Sequence, residues 1–465
     1  MIKMTIETIL NATGGKLIQE CEEKEIRKVV QDSRHAETGA MFVAIIGENQ
    51  NGHKYIPSVA EAGCSTVMVS EAEGEWREAL RTGAKSVNLI LVEDTEYALG
   101  ELARNYLKEL NVRRVAVTGS VGKTTVRDMI YYVLSEKYNC GRNMKNYNNL
   151  IGLPISVLSF DDNTEAVVLE MGMDRFGEIE RLGEIVNPET AVITNIGVAH
   201  IERLGSREGI FRAKMEIADN IVTASEGGSL VYAADGEYLT EERTAGDYRQ
   251  ISVGKDGHSK YIISDVDDFG IEGIEFTVEF NEQIQRIKLP VSGAHNAVNA
   301  TLAIAAGATL GVDMDTAVKG LAKVELTGSR LKVLNGRVTI IDDSYNANPD
   351  SMKSGLRVLA SSKSAGRKTA ILGDMYELGE ESRSGHFDVG LFAGGCGIDQ
   401  VVTIGESAAA IAEGAKGGSA IVKHYPDKES FFEEAGSFIG EGDLVLVKAS
   451  RGMHMEEVVE WIQSI

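Results

Sequence analysis

Gly122, Lys123 and Thr124 open a helix-like stretch and have the residue types that a phosphate-binding loop needs. Small residues let backbone N–H groups approach an anion, and the positive end of the helix dipole points at the same place. In such a loop the Lys123 amine reaches the terminal phosphates and the Thr124 hydroxyl binds magnesium. Residues 118–125 read TGSVGKTT, a shorter variant of the usual pattern, because Val117 stands at the first glycine position. The stretch predicts a nucleotide-binding loop.

A strand and a helix are expected to position this loop. The stretch from Arg113 to Tyr138 reads as a short apolar strand, the loop and a helix, because the residues after the loop repeat at helical spacing. The repeating apolar positions are Val126, Met129, Ile130, Val133 and Leu134. They predict a helix with one face in the core, and they carry no information about the ligand.

Two further segments place a polar side chain at the end of a strand. Residues 165–170 (EAVVLE) read as a buried strand that ends at Glu170, and residues 191–200 (AVITNIGVAH) read as a second strand with His200 just past its end. Open parallel sheets bind ligands at the carboxyl ends of their strands. Because magnesium takes oxygen ligands and keeps several waters beside phosphates, the two strand ends and the loop together predict a magnesium site.

Two helical segments carry candidates that the local pattern leaves open. Lys214 lies on an apparent helix in FRAKMEI, and its spacing alone is that of a surface lysine. Asn296 and Asn299 lie where another helix begins. An asparagine there either caps the helix or offers its paired donor and acceptor to an adenine edge. Between these segments, residues 273–289 alternate and turn in the pattern of an antiparallel hairpin.

The chain is expected to be an α/β protein of three domains, because 465 residues exceed what one hydrophobic core usually serves. Residues 1–95 mix short strands and helices in a small α/β domain. Residues 96–327 predict a parallel sheet like that of P-loop ATPases, with the antiparallel hairpin appended. Residues 328–465 alternate strands and helices in the pattern of a Rossmann-like, doubly wound domain, and polar clusters follow three of its strands.

The composition argues against several classes of protein. A net charge of -23 opposes binding to nucleic acid or to an anionic membrane surface. No apolar run approaches the roughly 20 residues of a membrane span, and the N-terminus lacks the pattern of a signal peptide. The four cysteines are far apart and include no C-x-x-C pair, so we expect reduced thiols in a cytoplasmic protein.

Several motifs, in this order and spacing, carry a resemblance that covers essentially the whole chain. They are TGSVGKTT, LEMG, ITNIGVAHIERLGSREGI, GAHNAVNA, GSRL and IDDSYNANP. Together they resemble the Mur ligases of bacterial cell-wall synthesis. Three later segments, DSYNANPDSM, LGDMYELGEES and VKASRGMHME, are similar to the branch that adds D-alanyl-D-alanine to UDP-N-acetylmuramoyl-tripeptide. That reaction implies ATP and Mg2+: ATP phosphorylates the tripeptide carboxylate, and the dipeptide amine attacks the acyl phosphate.

The resemblance also implies roles for the matching residues. The expected catalytic residues are Lys123, His200, Lys214 and Arg330. The expected ATP contacts are Gly119, Ser120, Val121, Gly122, Lys123, Thr124, Thr125, Asn296, Asn299, Arg330 and Asp343. The expected Mg2+ ligands are Thr124, Glu170, His200 and Lys214. In the family the matching lysine is carbamylated, which turns a cation into an oxygen ligand, and the two asparagines match adenine contacts.

The two substrates are expected in the outer domains, with UDP on the N-terminal domain and D-alanyl-D-alanine on the C-terminal domain, which also completes the ATP site. The expected substrate contacts are Ser33, Arg34, Asn49, His53, Asn146, Asn148, Asn149, Tyr345, Asn346, Asn348, Lys448, Ser450 and Arg451. The chain departs from the family at Asn51, where Asp is common, and at Met215, where Gly is common. We expect a monomer, and the sequence leaves open whether the tripeptide ends in L-lysine or meso-diaminopimelate.

Three other functions fit parts of the pattern. One is a related amide ligase, such as a folylpolyglutamate or poly-amino-acid ligase, which the N-terminal domain and the DSYNANP stretch disfavour. Another is a P-loop switch or motor that hydrolyses nucleotide without an acceptor amine. The third is a silent binding protein, which the set of Lys123, Glu170, His200 and Lys214 disfavours. Release of ADP that requires both substrates would distinguish the ligase from these alternatives.

Overall fold

A computed structural model describes residues 4–21, 25–82, 86–144, 146–197, 201–234 and 237–465. The chain divides into two compact units. One consists of residues 1–118, 137–191 and 216–229, and the other of residues 119–136, 192–215 and 230–465. None of the helices in the described ranges is long and apolar enough to cross a membrane.

The N-terminal residues form a small α/β domain around a five-stranded sheet. Its elements are β1 (Met4–Thr5), α1 (Ile6–Thr13), β2 (Lys16–Gln19), β3 (Glu25–Ile26), β4 (Lys28–Val30), β5 (Ala40–Val43), α2 (Ile56–Glu61), β6 (Thr66–Val69), α3 (Glu75–Thr82) and β7 (Asn88–Leu91). The strand order is β2-β7-β6-β5-β4, and β1 pairs with β3 outside this sheet. Strands β4 to β7 run parallel, whereas β2 runs antiparallel to β7. The apolar side chains on one face of this sheet pack with α2 and α3 into one core.

The central segment contains the phosphate loop. Its strands are β8 (Arg113–Thr118), β9 (Cys140–Arg142), β10 (Ala166–Glu170), β11 (Thr190–Ile193), β12 (Ser229–Ala233), β13 (Arg249–Gly254), β14 (Tyr261–Asp268), β15 (Ile274–Phe280) and β16 (Gln283–Leu289). Its helices are α4 (Thr95–Leu110), α5 (Lys123–Ser135), α6 (Gly152–Val157), α7 (Glu178–Val186), α8 (Ile201–Leu204), α9 (Arg207–Met215), α10 (Asn296–Thr309) and α11 (Met314–Leu321). The strand order is β16-β15-β14-β13-β12-β11-β8-β10-β9. Strand β10 is parallel to β8 and β9, and β15 and β16 form the predicted antiparallel hairpin.

The C-terminal segment is doubly wound, as the alternation of strands and helices predicted. Its strands are β17 (Lys332–Leu334), β18 (Thr339–Asp342), β19 (Lys368–Gly373), β20 (Gln400–Ile404), β21 (Ile421–Tyr425) and β22 (Leu444–Lys448), in the order β17-β18-β22-β19-β20-β21. Its helices are α12 (Pro349–Ser361), α13 (Ser382–Gly395), α14 (Ala409–Ala415), α15 (Lys428–Ala435) and α16 (Glu456–Ser464). Alternate residues of β22 enter opposite cores: Leu446 packs with α12 to α14, and Val445 packs with α15 and α16.

The helix after the phosphate loop has the predicted buried stripe. Val126, Met129, Ile130, Val133 and Leu134 are all fully buried. The sequence analysis missed two strands of the C-terminal sheet. Strand β17 is a three-residue antiparallel edge strand, and β21 is a partly exposed edge strand with a mixed polar sequence. Neither has the continuous apolar run by which a central parallel strand is recognised.

Candidate active site

The phosphate loop is held in shape by polar residues that follow β11. A side chain at Gly119, whose φ is +151°, would place its Cβ 1.9 Å from Thr194 Oγ1, so only glycine fits there. Thr194 Oγ1 and Asn195 Nδ2 both donate to the carbonyl oxygen of Val121, at 2.6 and 2.8 Å. The Val121 N–H donates in return to Asn195 Oδ1. These contacts fix the loop before any ligand arrives.

Lys123 and Gly122 lie where the loop becomes helix α5. Gly122 is the N-cap residue with φ +85°, and no side chain caps the helix. Lys123 Nζ donates to the carbonyl oxygen of Gly119 at 2.8 Å and to that of Ser120 at 3.4 Å, so the amine folds back over the loop. Thr124 and Thr125 are buried in the first turn. The first backbone N–H groups of α5 have no side-chain cap, and the Lys123 amine lies over the loop. This helix start is therefore suited to bind an anion.

Glu170 lies at the carboxyl end of β10, as predicted, and is 3% exposed. The Asn143 side chain hydrogen bonds to both backbone groups of Glu170. It donates to the carbonyl oxygen at 2.9 Å and accepts from the N–H at 3.0 Å. Asn148 Nδ2 donates to Glu170 Oε1 at 2.9 Å, which orients the carboxylate. Of the other asparagines in this segment, Asn146 is exposed and Asn149 Oδ1 accepts from the N–H of Gly152 at the start of α6.

Lys214 corrects the surface assignment that spacing alone suggested. It lies near the end of α9, and only 1% of it is exposed. Burial lowers the pKa of Lys214 well below its usual value, and the positive charge of Lys123 lowers it further. The helix repeat of FRAKMEI does not show this burial, because tertiary packing covers that side of α9. A lowered pKa favours the neutral form of a lysine amine, which is the reactive form.

His200 lies outside the described residues. In the part of the chain that the structure does describe, no group of three or more His, Cys, Asp and Glu side chains could hold a metal ion. Magnesium beside phosphates needs few protein ligands, because it keeps waters and phosphate oxygens. The Thr124 hydroxyl and the Glu170 carboxylate are hard oxygen donors of the kind that it takes.

Asn296 and Asn299 lie in the first turn of α10, and neither caps the helix. The N-cap residue is His295, and it makes no side-chain cap hydrogen bond. Asn296 Nδ2 donates to the carbonyl oxygen of Ser292 at 2.7 Å, and Asn299 Nδ2 donates to Asn296 Oδ1 at 2.7 Å. A Cβ on Gly122 would lie 3.2 Å from Asn299 Oδ1, so this amide adjoins the phosphate loop. The helix-cap interpretation is therefore wrong, and the adenine contact stays a prediction.

Arg330 and Asp343 lie close to each other just after residue 327. The Arg330 guanidinium lies 4.0 Å from the centre of the Tyr345 ring, and Nη1 donates to the carbonyl oxygen of Thr327 at 3.0 Å. Asp343 is buried and forms a 2.6 Å ion pair with Lys448. Burial raises the pKa of Asp343, and Lys448 lowers it in part. Arg330 is thus a cation held by stacking, whereas Asp343 already has a charged partner.

The remaining C-terminal candidates have distinct environments. Asn348 is the N-cap of α12, and its Oδ1 accepts from the N–H of Ser351 at 2.9 Å. Ser450 Oγ accepts from the N–H of Tyr376 at 2.8 Å. Asn346 is exposed, and its backbone oxygen accepts from Lys448. Arg451 is exposed and pairs with Glu456 at 3.2 Å. Asn346 and Arg451 are therefore the more accessible side chains of this group.

The N-terminal candidates are only partly accessible. His53 is 1% exposed. Its Nδ1 lies 2.8 Å from Asn51 Oδ1, and its Nε2 accepts from the backbone N–H groups of Ser70 and Glu71. Both ring nitrogens of His53 therefore have partners within the domain, so the ring shapes the loop. Burial also lowers the pKa of His53.

Arg34 and its neighbours are more open to solvent. Arg34 is exposed and pairs with Asp32 at 2.5 Å, which lowers the pKa of Asp32 to about 2. Ser33 is half-buried, and Asn49 is exposed. The Arg34 and Asn49 side chains are thus open to solvent, as a substrate-binding surface requires.

Sequence reasoning missed Thr194, Asn195 and Asn143. All three position a predicted site residue through short hydrogen bonds, and none belongs to the set expected to touch ligand. Thr194 and Asn195 directly follow a buried strand, which is the same signal that marked Glu170. Asn143 follows the short edge strand β9, which offers no comparable apolar run.

Comparison with known proteins places this geometry in a family. Three family models match in succession: the catalytic domain of the Mur ligase family over residues 25–107, the Mur ligase middle domain over 117–307, and the Mur ligase glutamate ligase domain over 329–451. The UDP-N-acetylmuramoyl-tripeptide--D-alanyl-D-alanine ligase of Bacillus subtilis is 39% identical over 99% of this chain and 98% of its own length.

Solved structures agree with the sequence relatives. MurF from Acinetobacter baumannii matches with a TM-score of 0.90 and 29% identity over 100% of both chains. The MurF ligase of Thermotoga maritima, solved in complex with ADP, matches with a TM-score of 0.81 and 28% identity over 94% of this chain and 97% of that one. The predicted three-part α/β architecture is confirmed. Because its relatives match along their whole length, the chain belongs to the Mur ligase family.

Proposed function

We propose that this protein joins D-alanyl-D-alanine to UDP-N-acetylmuramoyl-tripeptide with ATP, which gives the pentapeptide precursor of peptidoglycan. The observation that carries the proposal is the end-to-end match with a ligase of that name, at 39% identity and without a missing domain. The structures named MurF support the same function at TM-scores of 0.90 and 0.81. No comparison favours a folylpolyglutamate or poly-amino-acid ligase over this function.

In the proposed reaction, the tripeptide's terminal carboxylate attacks the γ-phosphorus of ATP, and ADP leaves. The amine of D-alanyl-D-alanine then attacks the acyl carbon, loses a proton and expels phosphate from the tetrahedral intermediate. A carboxylate and a triphosphate repel each other, so the protein's task is mostly positioning and charge neutralisation. The folded-back amine of Lys123 is suited to the γ-phosphate, and Arg330 supplies a second positive charge.

The nucleotide contacts proposed around this chemistry follow the geometry of the loop. Residues 119–125 would surround the phosphates with backbone N–H groups, and Asn296 and Asn299 would bind adenine. Asp343 is proposed near the ribose, with its charge balanced by Lys448. Thr124, Glu170 and His200 are the proposed magnesium ligands. Bound Mg2+ would neutralise phosphate charge and orient the phosphate oxygens.

Lys214 is proposed to carry a carbamate. A lysine amine reacts with CO2 only when it is neutral, and the product is a carbamate anion and a released proton. The burial of Lys214 and the nearby charge of Lys123 favour the neutral amine, so this residue fits the modification. The resulting carboxylate-like oxygens would suit a second magnesium ion.

We propose the domain roles that the resemblance implied: residues 1–95 bind the UDP moiety, 96–327 bind ATP, and 328–465 bind D-alanyl-D-alanine and complete the ATP site. The exposed side chains of Arg34 and Asn49, and of Asn346 and Arg451, are the substrate contacts that this assignment favours. The enzyme is further proposed to be a cytoplasmic monomer. Its four cysteines, all within the described ranges, form no disulfide, which agrees with a reducing compartment.

The decisive experiment measures ADP release by the purified chain. Release should require UDP-N-acetylmuramoyl-tripeptide and D-alanyl-D-alanine together, and mass spectrometry should detect the pentapeptide product. Tripeptides ending in L-lysine and in meso-diaminopimelate are offered separately to identify the natural substrate. Release of ADP without the dipeptide would indicate a hydrolase, and release with glutamate in its place would indicate another amide ligase.

A further inference from the structure

Arg127 and Asp128 form a fully buried ion pair on α5, directly after the phosphate loop. Arg127 donates to Asp128 Oδ1 from Nη2 at 2.6 Å and from Nε at 3.0 Å. Adjacent residues on a helix do not face each other, so the Arg127 side chain must fold back to make this contact. A buried ion pair contributes little net stability compared with well-packed apolar side chains of the same volume. Stability alone is therefore a weak reason for the pair.

The second oxygen of the Asp128 carboxylate accepts a hydrogen bond from outside helix α5. Asp128 Oδ2 accepts from the backbone N–H of Thr327 at 2.7 Å, across 199 residues of sequence. The carbonyl oxygen of Thr327 in turn accepts from Arg330 Nη1 at 3.0 Å. Two hydrogen bonds thus connect the helix of the phosphate loop to the guanidinium of Arg330.

The turn that carries Arg330 is also fixed at its far end. Gly328 has φ +81°, and Leu331 has φ +51°, which is unusual for a branched side chain. The Leu331 N–H donates to Asp343 Oδ1 at 3.2 Å. A leucine with positive φ keeps that conformation only when surrounding contacts hold it. Asp128 and Asp343 supply such contacts on either side of Arg330.

We infer that Asp128 is a positioning residue for Arg330. The Asp128 carboxylate, oriented by Arg127, holds the backbone N–H of Thr327, and the Thr327 carbonyl oxygen holds the Arg330 guanidinium. Helix α5, which begins at Lys123, therefore also determines the position of Arg330. Asp128 is fully buried and therefore out of reach of substrate. The inference rests on the proposed role of Arg330 at the γ-phosphate. A displacement of about 1 Å in a charged group at a reacting centre costs roughly 100-fold in rate.

The test replaces the ion pair by apolar side chains of similar volume, Arg127→Met with Asp128→Leu. This change keeps the core filled but removes the acceptor for the Thr327 N–H. We expect kcat to fall on the order of 10- to 100-fold, KM for the tripeptide to stay within about twofold, and the thermal unfolding midpoint to be unchanged or higher. The matched control, Lys323→Met with Glu136→Leu, removes a 2.6 Å ion pair between the other end of α5 and the segment before Thr327. It should leave kcat unchanged.

A double-mutant cycle with Arg330→Ala shows whether Asp128 acts through Arg330. In the Arg330→Ala background, the change at residues 127 and 128 should cause no further loss of kcat. The cycle is repeated with Asp128→Asn, which alters the same carboxylate with little change in volume and covers the case in which the apolar variant does not fold. A wild-type kcat in the folded variants, or losses that multiply in full with Arg330→Ala, would overturn the inference. Failure of the proposed function would look different, since the unaltered chain would then not ligate.

Discussion

Lys448 Nζ lies 2.6 Å from Asp343 Oδ2, and only 3% and 11% of the two side chains are exposed. Lys448 ends β22, and Asp343 directly follows the parallel neighbour β18. The same lysine donates to the carbonyl oxygen of Asn346, and the same carboxylate accepts from the N–H of Leu331. One buried ion pair therefore fixes two loops at the carboxyl edge of the C-terminal sheet, where doubly wound folds bind their ligands.

Removal of Lys448 should destabilise the protein strongly. Lys448→Met leaves the Asp343 carboxylate buried without its partner, and we expect a loss of about 3–5 kcal/mol in the free energy of unfolding, measured with urea. Exchange of both residues, Lys448→Met with Asp343→Leu, should recover most of this loss. The control Lys428→Met breaks the solvent-accessible pair with Glu457 and should cost far less stability. A similar small loss for Lys448→Met would contradict the prediction.

The Lys448→Met variant should also show a particular dependence on pH. Burial raises the pKa of Asp343, and the loss of Lys448 removes the main contribution that lowers it. The folded state then binds the proton more tightly than the unfolded state does. Its stability is therefore fully present below about pH 4, the ordinary Asp pKa, and is lost as the pH rises through the raised value. Unfolding curves measured from about pH 4 to about pH 8 should show this loss of stability with rising pH.

Lys123→Ala should lose most of its turnover and leave the fold intact. The amine is only half-buried and hydrogen bonds to loop carbonyls, so its loss removes little packing. It removes the positive charge proposed for the transferring phosphate, for which we expect a fall in kcat of roughly 100-fold or more. The control Lys319→Ala, at an exposed position on α11, should behave as wild type. Near-normal ligation by folded Lys123→Ala would remove this residue from the proposed mechanism.

Lys214→Ala should lose ligation far more than its neighbour Arg212→Ala, which changes an exposed residue on the same helix. Formate or acetate should restore part of the activity of the Lys214 variant, because either anion supplies the missing oxygens. Neither salt should alter the Arg212 variant. High-resolution mass spectrometry of the native protein in bicarbonate provides an independent test of the carbamate. Full activity in Lys214→Ala, or the same rescue in both variants, would contradict the proposal.

His53 should make the N-terminal domain sensitive to acid. Its Nε2 accepts two backbone N–H groups, and burial lowers the pKa of the ring, so the folded state favours the neutral form. The stability that this neutral ring contributes is present above the ordinary His pKa of about 6.5 and is lost as the pH falls through the lowered value. Thermal unfolding at several acidic pH values should show a smaller acid effect in His53→Gln than in wild type. The exposed control His258→Gln should keep the full effect.

Local patterns determined much of the fold. The strand, loop and helix around Lys123 follow from glycine placement and a 3.6-residue apolar repeat, and the hairpin of β15 and β16 follows from a two-residue alternation. Glu170 could be placed at a strand end because parallel strands are continuous apolar runs. The edge strands β17 and β21 were not predicted, because partly buried strands have a mixed sequence of polar and apolar residues.

The sequence by itself determined the phosphate loop, the α/β class and the family resemblance, because these depend on residues near one another in the chain. Only the tertiary structure decided the environment of single side chains. It buried Lys214 on a helix whose repeat looks exposed, engaged both nitrogens of His53, and joined Asp128 to Thr327 across 199 residues. Burial and long-range hydrogen bonds depend on what packs against a residue from elsewhere in the chain. The local sequence does not encode that partner, so charge state and positioning follow only from the folded protein.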